Sequence, residues 1–186
     1  MKNNLTEKDI EVLNKWAEAY DIDELKIKDK EKIFNLKQLC IFNTNIKYIP
    51  AAIFKLTNLK SLSIYCNNLN RLPKEICNLI NLKELYIHCE NLKSLPNEIE
   101  RLTNLESIHI ECENLKQLPK EIHNLIKLKR FDIDCPNSEN FPDGIAKLIN
   151  LETIYIINSN GKLNLQYLIG GIVKLNNLKS LYIDIE

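Results

Sequence analysis

Residues 59–81 read LKSLSIYCNNLNRLPKEICNLIN, and residues 82–104 read LKELYIHCENLKSLPNEIERLTN. Counting each opening leucine as place one, both blocks put Leu or Ile at places four, six and eleven, Cys at eight, Asn at ten and Pro at fifteen. The frame extends in both directions. It opens at Leu36, Leu59, Leu82, Leu105, Leu128 and Leu151 and begins again at Leu178, and its proline recurs as Pro50, Pro73, Pro96, Pro119 and Pro142. One such block has no means of burying its own apolar face, so only a stack of them makes a folded object.

Within a block, places four, six and eight alternate along the chain, which turns Leu, Ile and Cys to one face of an extended strand. The proline then opens a short apolar pattern, as in PKEICNL from Pro73 to Leu79. Proline suits a first helical position, so one or two turns of helix are expected on the convex side, with Ile76 and Leu79 inward. These residues resemble the leucine-rich repeat family, and the LPxxIxxL half resembles its intracellular subclass, typified by Ras-binding and bacterial cytoplasmic members. The resemblance covers Leu36 to Glu186. It implies an α/β solenoid, a curved horseshoe with a parallel concave β-sheet and short convex helices. Residues 36–186 then hold six full repeats and a partial seventh.

The family pattern puts an asparagine at place nine, where this chain has Thr44, Asn67, Glu90, Glu113, Pro136 and Ser159. Here it falls one place later, at Asn45, Asn68, Asn91, Asn114, Asn137 and Asn160. A buried amide at that turn can satisfy backbone groups that leave the strand ladder, so an asparagine ladder is expected. Four of the six cysteines, Cys66, Cys89, Cys112 and Cys135, share place eight and read as small buried hydrophobes rather than a disulfide framework. Cys40 and Cys77 lie off that column, and either is a candidate exposed thiol.

Residues 1–35 break the frame. Thr6 to Tyr20 reads as an amphipathic helix, with Thr6 and Asp9 at capping-box spacing and Ile10, Leu13, Trp16 and Ala17 in one stripe. Its expected role is an N-terminal helical cap over the open end of the core. At the other end LKSLYIDIE, from Leu178 to Glu186, stops one strand into a repeat and leaves an edge open to pairing with a second copy. The sixth repeat is 27 residues long, with extra residues near Asn160, Gly161, Lys162 and Leu163. Asn-Gly marks a turn there, so the insertion is expected to bulge after the strand.

Formal net charge is zero, from 25 basic and 25 acidic residues. That balance gives the whole chain no electrostatic case for nucleic acid or an anionic membrane. The N-terminus has no apolar signal-like region, and no window approaches a membrane span. The expected location is cytoplasmic.

Function has to come from places three, five and seven, which the core leaves free on the concave face. There the chain collects Tyr65, Tyr86, His88, His109, Glu111, Asp132, Asp134, Tyr155 and Tyr182, with no lysine at places five and seven and only Arg130 as a cation at place three. Tyrosine gives stiff, amphipathic contact area, and carboxylates favour a basic partner. The reading is a non-catalytic scaffold, a monomer that binds a protein or peptide with a basic face. His88, His109, Glu111, Asp132 and Asp134 lie on three adjacent strands, close enough in principle for a metal, but no short ligand motif supports one, and no cofactor is expected. His88 and Cys89 are consecutive in a strand and point to opposite faces, which disfavours a Cys–His nucleophile. Two alternatives stay open: the recognition domain of a larger enzyme such as an effector ubiquitin ligase, and a structural module that self-assembles as an edge-paired homodimer.

Overall fold

The structure, a computed structural model, describes residues 4–139, 144–159 and 166–184. Pro142, Asn160, Gly161, Lys162, Leu163 and Glu186 lie outside the described residues, and with them the expected bulge in the sixth repeat.

Every repeat contributes one five-residue strand at the same five places: β1 Gln38–Phe42, β2 Ser61–Tyr65, β3 Glu84–His88, β4 Ser107–Glu111, β5 Arg130–Asp134, β6 Thr153–Ile157 and β7 Ser180–Asp184. They form one open parallel sheet in chain order. Register is strictly place to place, so Ile64, Ile87, Ile110 and Ile133 form one row and Ser63, Tyr86, His109 and Asp132 another. A strand repeating every 23 residues keeps each side chain beside its own equivalent, which is why the apolar places merge into one continuous core. Place eight extends the ladder: the Cys66, Cys89 and Cys112 amides donate to the carbonyls of His88, Glu111 and Asp134 on the following strands.

The opposite wall is made of the expected short helical turns, in the 3-10 form. It consists of 3-10 segments, Ala51–Lys55, Lys74–Asn78, Asn97–Arg101, Lys120–Asn124 and Ile145–Lys147. Pro50, Pro73, Pro96 and Pro119 precede these segments as N-cap residues in extended backbone and are not their first helical residues. The chain has only five residues in which to turn back, and the tighter 3-10 geometry suits short pieces. Ile76 and Leu79 do point inward, fully buried.

α1, Glu7–Tyr20, starts at a complete capping box: the Asp9 amide donates to Thr6 Oγ1 at 3.1 Å and the Thr6 amide to Asp9 Oδ2 at 2.8 Å. Ile10, Leu13, Trp16 and Ala17 are its buried residues and join the common core. A short α2, Lys30–Phe34, leads into β1. In the sixth repeat the wall becomes an α-helix, α3, Gln166–Ile172. Gly171 is required there, because a Cβ on it would stand 2.2 Å from Ile145 Cγ2.

The asparagine ladder exists, but at the surface. Asn68, Asn91, Asn114 and Asn137 each donate to a carbonyl 24 residues back, those of Thr44, Asn67, Glu90 and Glu113, at 2.8 to 3.0 Å, from exposed or half-buried positions. A second ladder on the other side joins Asn58, Asn81, Asn104, Asn150 and Asn177 to the carbonyls of Phe34, Thr57, Ile80, Ile126 and Ile149. The buried amide sits at place eight instead: Asn158 is 1% exposed and donates to the carbonyls of Cys135 at 2.8 Å and Ser138 at 2.9 Å. Asn43 and Asn158 bracket the four cysteines in that column. All six cysteines are free thiols; Cys40 is exposed, and Cys77 is buried against the neighbouring 3-10 segment Asn97–Arg101.

Candidate binding face

With Leu and Ile of places four and six turned inward, places three, five and seven of seven strands stand on the face away from the 3-10 segments. Parallel pairing sets like places side by side, so side chains form rows across the strands. Along place seven, Phe42 packs on Tyr65 (ring centroids 5.9 Å apart) and Tyr65 on His88 (6.0 Å), and the row continues to Glu111 and Asp134. Along place five, Tyr86 meets His109 (6.1 Å), Asp132 follows, and Tyr155 stacks on Tyr182 at 4.8 Å. The face is thus aromatic at both ends and acidic in the middle.

A cleft of about 620 Å³ occupies the centre, lined by Tyr65, Tyr86, His88, His109, Glu111, Arg130, Asp132 and Tyr155. Seven of the nine sequence candidates therefore share one cavity. Asp134 lines a smaller neighbouring hollow of about 270 Å³ with His88 and Glu111, and Tyr182 stands beyond the cleft against Tyr155, its hydroxyl donating to Asp184 Oδ2 at 3.3 Å.

A polar chain runs through the floor. Glu111 Oε2 is 2.8 Å from His88 Nδ1 and 3.9 Å from His109 Nε2, and His109 Nδ1 is 3.6 Å from Asp132 Oδ2. Arg130 Nε donates to the same Asp132 oxygen at 2.5 Å. This contact raises the Arg130 pKa further above its already high value. Burial, then the neighbouring Glu111 charge, push the Asp134 carboxyl above the usual range.

Two expectations change. Asp132 is not a free side chain of the face but only 4% exposed, because Arg130 and His109 lie against it. Arg130, absent from the sequence candidates, is a cleft residue. Its signal was available: it is the lone cation of place three and sits two residues before Asp132, hence on the same side of β5. Among the described residues no group of three or more His, Cys, Asp or Glu is arranged to hold a metal ion, and burial pushes the place-eight thiols up, Cys89 to about 11 and Cys66 and Cys135 to about 12, which keeps them protonated and unreactive at neutral pH.

A leucine-rich repeat region profile matches residues 74–186, more than half of the chain. No curated protein matches in sequence. Among solved structures the chain is similar to a leucine-rich repeat protein of Leptospira interrogans, at 26% identity and a TM-score of 0.56 over 82% of this chain and 50% of that one. It is similar also to the plant peptide hormone receptor RGFR1 in complex with RGF2, at 28% identity and a TM-score of 0.53 over 74% and 27%. The leucine-rich repeat domain of the type III effector XopL, at 21% identity and a TM-score of 0.53 over 79% and 60%, shares the fold. The chain spans about half the length of the first structures it matches. No helix among the described residues is long and apolar enough to cross a membrane.

Proposed function

The chain belongs to the leucine-rich repeat family, and we propose that it is a non-catalytic binding scaffold whose concave face takes a protein or peptide with a basic surface. The observation that carries this reading is the face itself: a cleft with tyrosine walls and a floor holding Glu111 and Asp132, in a chain whose formal charge is otherwise balanced. Side chains rooted in a hydrogen-bonded parallel sheet lose little freedom on binding, so contact area there converts to affinity efficiently. A peptide-bound plant receptor of the same fold supports a protein or peptide as ligand. On this reading residues 1–35 form a cap over the N-terminal end of the core, the protein acts as a monomer, and its six free thiols suit the cytoplasm.

The test is affinity capture from native cell lysate with the wild-type chain, a variant carrying Tyr65, Tyr86 and Tyr155 changed to alanine, and a control with the exposed Ile126 and Ile149, which do not line the cleft, changed to serine. A protein retained by the wild type and the control but lost by the tyrosine variant, with circular dichroism unchanged, supports the reading. Equal retention by all three overturns it.

A further inference from the structure

Asp132 is anomalous on this face. Its row neighbours His109 and Tyr155 are half-exposed, whereas Asp132 is 4% exposed and its Oδ1 has no hydrogen-bond partner. A buried carboxylate oxygen without a donor is costly, and native structures rarely leave one idle. The other oxygen, Oδ2, is engaged by Arg130, but through Nε alone. A guanidinium usually grips a carboxylate with two parallel N–H groups. Here it takes one oxygen, and its side chain remains 61% exposed. The floor of the cleft thus holds one occupied acceptor and one empty acceptor on the same buried group.

The surroundings favour a second cation. Glu111 lines the cleft and Asp134 the neighbouring hollow, and among the described residues Arg130 is the only Lys or Arg lining the cleft. Walls of tyrosine suit a flat cation, which can lie against a ring while its edge donates to a carboxylate. Arg130 already demonstrates that a guanidinium fits this floor. Being long and mostly exposed, it is also able to swing aside and leave the carboxylate to an incoming guanidinium.

We propose that the cleft is a receptacle for a single arginine side chain of the partner, whose guanidinium donates to Asp132 Oδ1 and faces Glu111, with Tyr155 and Tyr86 as its walls. This rests on the reading that the concave face is the docking surface. Arg130 is then an internal competitor for the same carboxylate, not a contact for the partner.

The experiment uses the whole chain and N-acetyl-arginine-N-methylamide as probe, followed by backbone amide shifts in an NMR titration, with the uncharged citrulline analogue and the lysine analogue as comparisons. The expected result is saturable shifts confined to β3, β4, β5 and β6, at least tenfold weaker for citrulline and severalfold weaker for lysine. Asp132→Asn should weaken the arginine probe at least tenfold, and Glu111→Gln, half-exposed and safe for folding, about threefold. Arg130→Ala should strengthen it. Equal response to citrulline, unchanged binding by Asp132→Asn in a chain with a folded spectrum, or shifts elsewhere on the molecule would overturn the proposal. Equal binding of lysine would overturn the arginine assignment, and so would weakening by Arg130→Ala. If the titration fails while capture still depends on Tyr65, Tyr86 and Tyr155, the receptacle falls and the docking face stands. If the probe binds but capture is indifferent to those tyrosines, the docking face falls, and with it the assignment of the arginine to a partner.

Discussion

Ile110→Ala against Ile126→Ala measures how far the stacked core carries stability, because the same residue type occupies opposite environments within one repeat. Ile110 is fully buried at place six of β4, between Ile87 and Ile133 in register, and Ile126 is 55% exposed. Truncating Ile110 removes three buried carbons at about 0.8 kcal/mol each. Neighbours fixed by the strand ladder on both sides collapse poorly, and a residual void of roughly 60 Å³ adds about 1.5 kcal/mol. The expected loss is about 3–4 kcal/mol, or on the order of 10 °C in melting temperature for a chain of this size. Ile126→Ala should cost below about 1 kcal/mol. Urea unfolding followed by circular dichroism reads both. A difference under about 1 kcal/mol would refute the claim that place six is a closely packed row.

The thiol column should be silent: at pH 7.5 a thiol reagent should modify Cys40 alone, and slowly, since burial and then Glu24 raise its pKa, whereas all six cysteines should react in denaturant. Gly171→Ala should destabilise the C-terminal repeats by about 1–3 kcal/mol through the clash with Ile145, while Gly170→Ala, with nothing near its added Cβ, should be neutral or mildly stabilising in the same melt. Glu106 is held at about 2 by Lys129 and Lys83. A depressed carboxylate contributes stability above its ordinary value near 4.5 and loses it as pH falls toward 2, so Glu106→Gln should flatten the acid limb of the stability profile between those values. Thr6→Ala removes the Asp9 cap bond and should cost about 1 kcal/mol, seen as faster amide exchange in the first turn of α1.

The strands were legible because a period of 23 residues repeats every decision: one block's Leu–Ile alternation assigns the inner face of them all. The α1 stripe and its Thr6–Asp9 box were equally legible, being local. The 3-10 segments were not, since five residues after a proline fit either helix type and the short return path decides. Nor was the buried amide of Asn158, because a frame aligned on the frequent asparagines at place ten hides the two, Asn43 and Asn158, that share place eight with cysteine. Asp132 shows the limit at the candidate site. Alternation puts it on the solvent side, which is correct, but its burial comes from Arg130 on its own strand and His109 on the next, a meeting of long side chains that no periodicity encodes.

The central claim, that the partner sits on the strand face, is tested most directly by photocrosslinking in the native cell, with benzoylphenylalanine placed in turn at Tyr65, Tyr86 and Tyr155 and, as controls, at Ile126 and Ile149. The account predicts a common adduct from the three tyrosine positions and none from the two isoleucines. An adduct from the isoleucine positions alone would contradict it.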